Sequence, residues 1–465
     1  MGYSNKYSNK PFERASKISH TDIINDEKVL NFLSRCRIPP YYKEIPDEDF
    51  KFQPLKNISE NPIKNIIAID GGYTDIYVNK DFPSSTIAFF QFGALFFKYE
   101  DLINLKNKPF IDPKDMAKLQ DINKIKLIIP TKGITLNEEI DFVSSVRKTI
   151  YEFFISQPEE DKKEDKFIEI LKWLIFENYK SSDFNNSWHL ATCPHCNEGV
   201  DIQEKNLLNN YTFVCPHCSG SIYFTDILRL HEVIDNELGA TGILGYITTT
   251  IEQIIIVYLI KCILKMKPFL LGNTLFIKDG PLAFFGQTAN LHKPMRKLIN
   301  YLNKEHNIYL VDLEKSGSFV EHAEQIRKKI PPKHFYIYIF IFFFCHKKTV
   351  YEYQINDNKY IYKYIIPSIK KDDPYGGSSY YSHKLIFKSE NNNMYVVSIP
   401  NIEAKIEPQI TDYINIEEIL YNITALKCDL YDNSIIPIAM VNNLVSIANT
   451  SSIYFKEFIK KNMKE

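Results

Sequence analysis

The sequence predicts an α/β fold, because two strand-like runs that end in Asp-Gly stand on either side of a long apolar helix. Ile66-Ile67-Ala68-Ile69 leads into Asp70-Gly71-Gly72, and Thr274-Leu275-Phe276-Ile277 leads into Lys278-Asp279-Gly280-Pro281. Apolar runs closed by Gly-Gly or Gly-Pro are typical of buried strands that end at tight turns. Asp70 and Asp279 are therefore expected at the carboxyl ends of two strands, where α/β proteins concentrate their chemistry.

The helix expected over residues 242–264 contributes a third acid, Glu252. The residues three, four and seven positions further on are Ile255, Ile256 and Leu259, so Glu252 shares a helix face with aliphatic side chains that are expected to be buried. A buried carboxylate is costly unless a cation or a hydrogen-bond donor pairs with it. Two strand-end aspartates and a buried glutamate predict a divalent-metal site, while each Asp-Gly taken alone is also a common turn.

The order of strand aspartate, helix glutamate and strand aspartate is that of the acidic core in ribonuclease-H-like nucleases. With its other motifs, the chain resembles the NurA nucleases, in the bacterial branch that carries an inserted zinc ribbon. The resemblance spans most of the chain and implies a ribonuclease-H-like mixed sheet with flanking helices. The motifs that carry it are Ala68-Ile69-Asp70-Gly71-Gly72, the Glu252 helix, Lys278-Asp279-Gly280-Pro281-Leu282, Glu314-Lys315-Ser316-Gly317-Ser318-Phe319-Val320-Glu321, Tyr380-Tyr381-Ser382-His383-Lys384 and Ile436-Pro437-Ile438-Ala439.

Phosphodiester hydrolysis is the chemistry that this acidic set predicts. In such sites two Mg²⁺ or Mn²⁺ ions about 4 Å apart activate a water and stabilise the leaving oxygen, and shared carboxylates bring the ions together. Asp70 is expected to bridge the two ions, with Glu252 and Asp279 each holding one. Carboxylate oxygens suit Mg²⁺ and Mn²⁺, whereas thiolates suit Zn²⁺. The sequence therefore separates its expected catalytic metal from its expected structural metal by ligand type.

The resemblance adds two further site positions, Lys315 and Asn442. Many NurA relatives carry a histidine at the position of Asn442, which follows Ile436-Pro437-Ile438-Ala439. Asparagine can bind a metal through its carbonyl or orient a water, but it cannot act as a general base. Proton transfer is then left to the metal-bound water, or activity is weaker. Lys315 is expected to contact the scissile phosphate, and a solvated lysine at a helix start is the alternative.

Four cysteines predict a structural zinc site. Cys193 and Cys196 form one C-x2-C pair, and Cys215 and Cys218 form a second. Two such knuckles present four thiolates in a tetrahedral arrangement. Four thiolates leave no open position for water, so this zinc is expected to hold shape and to take no part in hydrolysis. A redox pair or a degenerate site is the alternative.

The predicted organisation is an N-terminal extension over residues 1–60 and a NurA-like nuclease domain over residues 61–465, which a zinc ribbon over residues 186–225 interrupts. An inserted module of this kind is expected where both of its ends emerge close together. A basic helix is expected over residues 290–303, and its basic residues are His292, Lys293, Arg296 and Lys297. These residues are expected to contact DNA phosphates next to the metals; a solvated helix face is the alternative.

Composition is that of a large enzyme without a general affinity for nucleic acid. The chain has 465 residues, 45% of them hydrophobic, with a formal net charge of -1. Any binding to DNA must therefore come from a local basic patch or from a partner. The N-terminus has no secretory signal, and the apolar run over residues 335–345 is shorter than the roughly 20 residues that span a bilayer. These features predict a cytoplasmic protein that does not cross a membrane.

Partners are implied by the resemblance. NurA proteins form dimers docked on a hexameric HerA-type translocase ATPase that feeds DNA to the nuclease, so a homodimer, DNA and such an ATPase are the expected partners. The chain has no G-x-x-x-x-G-K-[ST] motif of its own, so ATP-driven movement must come from the partner. Pairs of this kind are associated with DNA end processing and repair or with defence against phage, and the sequence does not choose between these roles.

Two other functions remain open at this stage. A catalytically degenerate nuclease could serve as a DNA-binding scaffold of the same complex. Asp70-Gly71-Gly72-Tyr73-Thr74 also fits the D-x-G-x-T phosphate turn of actin-like ATPases and sugar kinases. That fold needs a second glycine-rich phosphate turn, and Asp279-Gly280-Pro281-Leu282 is a poor one because proline lacks an N–H donor.

Overall fold

A computed structural model describes residues 18–36, 52–54, 58–106, 124–159, 162–180, 187–328, 334–338, 379–389, 391–403, 410–428, 433–447 and 451–462. The strands are β1 (Phe52–Pro54), β2 (Asn65–Asn79), β3 (Ser85–Lys98), β4 (Ile125–Lys132), β5 (Ser187–Leu190), β6 (Val200–Gln203), β7 (Thr212–Val214), β8 (Ser221–Tyr223), β9 (Thr274–Asp279), β10 (Tyr309–Glu314), β11 (His334–Tyr338), β12 (Ser382–Lys388) and β13 (Met394–Pro400). The helices are α1 (Ile18–Ile24), α2 (Glu27–Ser34), α3 (Tyr99–Lys106), α4 (Phe142–Ser156), α5 (Phe167–Ile175), α6 (Leu244–Met266), α7 (His292–His306), α8 (Ser318–Ile326), α9 (Ile416–Ala425), α10 (Ile436–Val445) and α11 (Ser451–Asn462).

The main sheet contains a ribonuclease-H-like core. Among the described residues it has nine strands in the order β1-β11-β12-β13-β10-β9-β2-β3-β4. The first three strands of the core, β2, β3 and β4, form an antiparallel meander. Strand β9 then pairs parallel to β2, and β10 pairs parallel to β9. This strand order and direction confirm the predicted fold class.

The rest of the sheet extends beyond β10. Strands β13, β12, β11 and β1 add to it in turn, and each pairs antiparallel to its neighbour. The edge strand β1 comes from the segment predicted as an N-terminal extension. The apolar run over residues 335–345 begins in β11, which lies second from this edge, and its residues after 338 are outside the described part of the chain.

Two hydrophobic clusters cover the two faces of the sheet. Alternation along β2 divides its side chains between them: Ile67 and Ile69 pack with α4, α5 and α6, whereas Ile66 and Ala68 pack with α9 and α10. A strand with apolar residues on both faces is typical of the centre of an α/β sheet. The β2 strand therefore lies between two helical layers. Asp70 is a buried charged residue within this otherwise apolar part of the strand.

Helix α6 is the central helix of the first layer. The segment Thr241–Met266 is long and apolar enough to cross a membrane by length and composition, and 56% of its most apolar window is buried inside the protein. It packs on α5, β2 and β3. Its apolar character is accounted for by this core position, and it carries Glu252 into the protein interior.

The N-terminal residues Met1–Asp47 form a separate compact unit. Within its described part, α1 and α2 are short helices. Asp26 caps α2 by accepting a hydrogen bond from the backbone N–H of Lys28 at 2.7 Å. No residue of α2 is buried.

Candidate metal sites

Asp70 and Asp279 lie side by side where the parallel ladder between β2 and β9 ends. The last registered pair of that ladder is Ile69 with Lys278, so the next residue on each strand is an aspartate. Asp279 ends β9, and Gly280 follows in a turn with a φ of 79°. Asp70 does not end its strand, because β2 continues to Asn79 in register with β3. The expected tight turn after Asp70 is wrong, although the expected juxtaposition of the aspartates is present.

Gly71 and Gly72 allow close packing in place of a turn. A Cβ on Gly71 would lie 2.6 Å from the ring of Phe92 and 3.1 Å from Oε1 of Glu252, and a Cβ on Gly72 would lie 3.2 Å from the backbone carbonyl oxygen of Val445. Because successive strand residues face opposite sides of a sheet, Gly71 admits α6 on one face and Gly72 admits α10 on the other. Both helices thus reach the strand immediately after Asp70.

The segment that could have formed the phosphate turn of an actin-like fold is part of strand β2. Asp70 to Thr74 lie inside the strand, and their registered partners on β3 run from Gly93 to Phe89. A phosphate turn would need this glycine-rich segment to fold back and point its amides at a ligand. The segment instead uses its amides and carbonyls in a strand ladder. The phosphate turn on which the alternative of an actin-like ATPase or kinase depended is therefore absent at Asp70 to Thr74.

Glu252 is buried beneath the strand ends and is paired with Lys278. Glu252 is 3% exposed and Lys278 is 1% exposed. The Nζ atom of Lys278 lies 2.6 Å from Oε2 of Glu252 and donates to the backbone carbonyl of Asp279 at 2.7 Å. The expected burial of Glu252 is present, and the cation that compensates it is a lysine of the neighbouring strand. A lysine within the apolar run of β9 was the sequence signal of a buried charge that needs a partner.

Lys315 and Asn442 contact the two aspartates. The ammonium group of Lys315 forms a salt bridge with Oδ2 of Asp279. The side-chain amide of Asn442 donates to Oδ2 of Asp70 at 3.0 Å, and Oδ1 of Asp70 accepts the backbone N–H of Gly71 at 2.8 Å. Each of the five residues named from the sequence as catalytic therefore belongs to one cluster of interacting groups, together with Lys278.

Burial makes these carboxylates costly to ionise. Burial raises the pKa of the Asp70 carboxyl from 3.8 to about 6, with a contribution from the negative charge of Asp279 and an opposing one from the Asn442 amide. Burial also raises the pKa of Glu252 from 4.5 to about 7, although the Lys278 ammonium opposes the shift. Neighbouring acids with raised pKa values are typical of functional sites.

A pH-dependent stability follows from Asp70. One pKa unit corresponds to about 1.4 kcal/mol, so a shift from 3.8 to about 6 corresponds to about 3 kcal/mol. The pKa of Asp70 is higher in the folded state than in the unfolded state, so the protonated carboxyl stabilises the fold. This contribution is fully present below pH 4 and is lost as the pH rises through about 6. We expect Asp70→Asn to raise the melting temperature more at pH 8 than at pH 5 when no Mn²⁺ or Mg²⁺ is added. Calorimetry measures the melting temperature of both proteins at each pH, without a chelator so that any cysteine-bound zinc stays in place. An equal increase at both pH values would contradict the expected pH dependence.

A buried aspartate, Asp312, holds the turn that follows Asp279. Asp312 is fully buried on β10, and its Oδ2 accepts the backbone N–H of Leu282 at 2.9 Å while its Oδ1 accepts that of Ser398 at 2.6 Å. Burial, together with the nearby Glu314, raises the pKa of Asp312 to about 7. Asp312 thus ties the turn to β13. Its position within an apolar strand was the only sequence signal of this role.

Gln253 and Tyr381 join the Glu252 helix to the same turn. The side-chain amide of Gln253 donates to the carbonyl of Pro281 at 3.3 Å, and the buried Tyr381 hydroxyl donates to Oε1 of Gln253. Gln253 follows Glu252 directly in α6, so this link fixes the helix against the turn that carries Asp279. The Tyr380-Tyr381 motif, which had no assigned role, is a structural support of the acidic cluster.

The donor set fits a hard divalent cation. Asp70, Glu252 and Asp279 carry three negative charges when ionised, and the ammonium groups of Lys278 and Lys315 balance two of them. In the part of the chain that the structure describes, only the four cysteines bring three or more potential ligand atoms within 4.8 Å of one another. The three carboxylates are instead held by two ammonium groups, which satisfy in part the charge that a metal would neutralise. Carboxylate and amide oxygens are the ligands that Mg²⁺ and Mn²⁺ prefer.

The four cysteines form a cluster whose dimensions fit a zinc ion. Sγ of Cys193 lies 4.0 Å from that of Cys218, and Sγ of Cys196 lies 3.8 Å from that of Cys215. Four thiolates about 2.3 Å from a zinc ion in a tetrahedron lie about 3.8 Å from one another. The cluster therefore has the ligand type, number and spacing of a closed zinc site.

The two cysteine knuckles have the same backbone structure. Asn197 and Ser219 each follow the second cysteine of a pair and have positive φ values of 63° and 58°. The backbone N–H of each donates to the carbonyl of the first cysteine, at 3.0 and 2.9 Å. The first knuckle lies between β5 and β6, and the second between β7 and β8, so two hairpins build the ribbon.

The ribbon is joined to the body by buried contacts. Arg147 of α4 makes a bidentate salt bridge, at 3.0 and 2.8 Å, with Asp226, the residue that directly follows the ribbon, and both side chains are buried. The rings of Tyr151 and Tyr223 stack with their centroids 4.4 Å apart. Apolar residues of β6 and β7, such as Ile202 and Phe213, belong to the same cluster as α6. The ribbon and the helical layer thus share one core.

His292, Arg296 and Lys297 of α7 have internal partners. Arg296 donates to the carbonyl of Tyr380 at 2.6 Å and to the Asn401 side chain at 3.1 Å. Lys297 forms a salt bridge with Glu177 at 2.6 Å. The Nδ1 atom of His292 lies 2.7 Å from the carbonyl oxygen of Ala289, and Lys293 completes the predicted set. A role for these four residues in DNA contact stays a prediction.

No family model matches this chain, and no curated protein sequence matches it. Its structure is similar to that of the NurA nuclease from Sulfolobus solfataricus, with 10% identity and a TM-score of 0.33 over 97% of this chain and 99% of that one. A NurA structure with manganese matches with 10% identity and a TM-score of 0.30 over 96% of each chain. A NurA structure bound to dAMP and manganese matches with 10% identity and a TM-score of 0.27, over 96% of this chain and 94% of that one. The family of these structures is the one that the sequence motifs resemble.

Proposed function

We propose that this chain is a NurA-type nuclease that hydrolyses DNA phosphodiester bonds with Mn²⁺ or Mg²⁺. The observation that carries the proposal is the pairing of Asp70 with Asp279 at the end of the parallel ladder, with the Glu252 carboxylate beside Gly71. Burial raises the pKa of both Asp70 and Glu252, so ionising these carboxylates at such low exposure costs folding free energy. Three carboxylates gathered in this way serve no evident structural purpose. Divalent ions would remove that cost.

Each residue of the cluster has a part in this chemistry. Bound ions would supply an activated water and neutralise the charge that develops on the phosphate and the leaving oxygen. Asp70 would bridge two ions, and Glu252 and Asp279 would each hold one. Lys315, whose side chain is 34% exposed, can exchange its contact with Asp279 for one with a phosphate oxygen. Asn442 orients the Asp70 carboxylate through its amide.

The wider assignments rest on the resemblance. We propose that the protein acts in the cytoplasm as a homodimer bound to a hexameric HerA-type ATPase, in DNA end processing or in defence against phage. His292, Lys293, Arg296 and Lys297 are proposed to contact DNA. The cysteine cluster is proposed to hold one structural zinc ion, which would fix the ribbon and leave hydrolysis to the acidic site.

A cleavage assay tests the proposed activity. Purified protein is incubated with linear and with circular DNA in Mn²⁺, in Mg²⁺ and without added metal, each with and without a HerA-type ATPase. The proposal predicts metal-dependent loss of intact DNA, and comparison of the two substrates separates endonuclease from exonuclease action. A catalytically degenerate scaffold would bind DNA without cleaving it under any of these conditions.

Asn442 offers a more specific test of the acidic site. We expect Asn442→His to retain or raise activity and to add a pH dependence near neutrality, because an unperturbed imidazole has a pKa of about 6.5. Asn442→Ala should lower turnover less than Asp70→Ala does, since a neutral amide contributes less to metal binding than a carboxylate. Specific activity and melting temperature are measured for both variants. A change in stability with unchanged turnover would make Asn442 a structural residue of α10.

A further inference from the structure

Lys278 is an unusual residue for the centre of a sheet. Lysine is almost never fully buried unless it is paired, and Lys278 is 1% exposed on β9 with its neighbours Leu275, Phe276 and Ile277 all buried. Its ammonium group has two oxygen partners, Oε2 of Glu252 and the carbonyl of Asp279. It therefore lies between two of the residues that are proposed to hold metal.

The contact with Lys278 makes the two oxygens of Glu252 different. Oε2 lies 2.6 Å from the lysine ammonium. Oε1 lies beside the backbone of Gly71, 3.1 Å from the place that a Cβ would occupy. One oxygen is thus turned toward the Asp70 strand, and the other is already held by a cation.

The two lysines of the site also differ in their freedom to move. The Lys315 side chain is 34% exposed, so its ammonium can leave Asp279 for solvent when a metal or a phosphate arrives. The Lys278 side chain is enclosed by the sheet and by α6, and moving its charge away from Glu252 would leave a buried ammonium without its carboxylate. Leaving a buried charge unpaired is strongly destabilising.

We propose that Lys278 is a built-in counter-ion that competes with the metal for Glu252. This proposal rests on the proposed metal site and deepens it. Lys278 keeps Oε2 from the metal and leaves Oε1 as the one available oxygen of Glu252. The ion position between Asp70 and Asp279 then has the higher affinity for metal, and the position that needs Glu252 has the lower affinity. Lys278 acts through Glu252 and is a positioning residue.

The pairing is tested first without added Mn²⁺ or Mg²⁺. Lys278→Met keeps the length of the side chain and removes its charge, so it leaves Glu252 buried without a cation and should lower the melting temperature strongly. Adding Glu252→Gln to this variant removes the orphan charge and should restore about half or more of the loss. Additive losses in the double variant would overturn the proposal. The double variant also keeps the test valid if Lys278→Met alone does not fold.

Manganese binding provides the second measurement. Removing one positive charge beside a divalent ion in a poorly solvated site strengthens binding substantially, so Lys278→Met should bind Mn²⁺ at least about tenfold more tightly at pH 8. Mn²⁺ should also raise its melting temperature more than that of the wild type. Equal affinities, measured by isothermal titration calorimetry, would overturn the proposal.

Lys388→Met is the matched control, because Lys388 is another buried lysine on the same sheet, and it donates to the carbonyl of Arg327 at 2.9 Å. It should lower stability equally with and without Mn²⁺ and leave Mn²⁺ affinity unchanged. Failure of the wild type to bind Mn²⁺ would count against the proposed nuclease site. Normal wild-type binding with no gain in Lys278→Met would count against the role of Lys278 alone.

Discussion

Asp70→Ala and Asp279→Ala are each expected to abolish DNA cleavage, with turnover below about a thousandth of the wild-type value. Loss of a metal ligand removes several kcal/mol of transition-state stabilisation, and each 1.4 kcal/mol corresponds to a factor of ten in rate. The fold should survive, because either change removes one of two neighbouring carboxylates, and the charge of Asp279 helps to raise the pKa of Asp70. Cleavage is measured in saturating Mn²⁺ beside the melting temperature of each variant.

Asp75→Ala is the control for these variants. Asp75 lies on the same strand as Asp70 and accepts a hydrogen bond from the Thr131 hydroxyl at 2.7 Å, outside the acidic cluster. Its loss should cost some stability and leave turnover per folded molecule unchanged. Near-normal cleavage by Asp70→Ala or Asp279→Ala in saturating Mn²⁺ would show that the metal site is assigned to the wrong residues.

Cys193→Ser or Cys215→Ser is expected to lose about one zinc ion per chain and to destabilise the ribbon. Closed thiolate sites contribute folding energy directly, because the unfolded chain has no preformed site. The ribbon has small hairpins and depends on the four thiolates to hold its knuckles together. The acidic site should survive more readily, since β2 and β9 are held by the main sheet. Elemental analysis and limited proteolysis over residues 186–225 measure the two effects.

Cys428→Ser is the control for zinc content. Cys428 is a buried cysteine outside the ribbon, so its substitution can cost stability without changing bound zinc. Wild-type protein that is purified without chelators and contains no zinc would contradict the assignment of the cysteine cluster. Full zinc content in Cys193→Ser would contradict it equally.

The sequence predicted the central geometry of the fold for a physical reason. Apolar strand runs that end on acids, separated by a long apolar helix, can satisfy burial and chain connectivity in few ways. Strands β2 and β9 are parallel neighbours, which brings the two predicted strand aspartates together, and the cysteine spacing led directly to the two knuckles. These signals are local in the sequence, and the structure retains them except for the strand end expected at Asp70.

The path of β2 after Asp70 was not predictable from local pattern. Gly71 and Gly72 resemble a turn in sequence, because glycine favours turns and also permits close approach of backbone to other groups. Only the tertiary structure shows that Glu252 and Val445 lie so close to the strand that glycine is needed at positions 71 and 72. A glycine pair inside a long hairpin strand therefore gave a false turn signal.

The partners of the buried charges also depend on tertiary structure. Lys278 meets Glu252 because the register of β2 with β9 and the rotation of α6 place both side chains on one face of the sheet. Tyr381 reaches Gln253 from a strand far along the chain. No local periodicity contains these relations. A charged residue inside an apolar strand predicts that some partner exists, without identifying it.

Anomalous scattering at the manganese edge, from crystals grown with Mn²⁺, tests most directly whether the acidic cluster is the metal centre of the protein. We expect a peak between Asp70 and Asp279, about 2.1 to 2.3 Å from a carboxylate oxygen of each. A second, weaker peak is expected next to Oε1 of Glu252. Manganese bound elsewhere, with no peak at Asp70 or Asp279 in protein that cleaves DNA, would contradict the assignment.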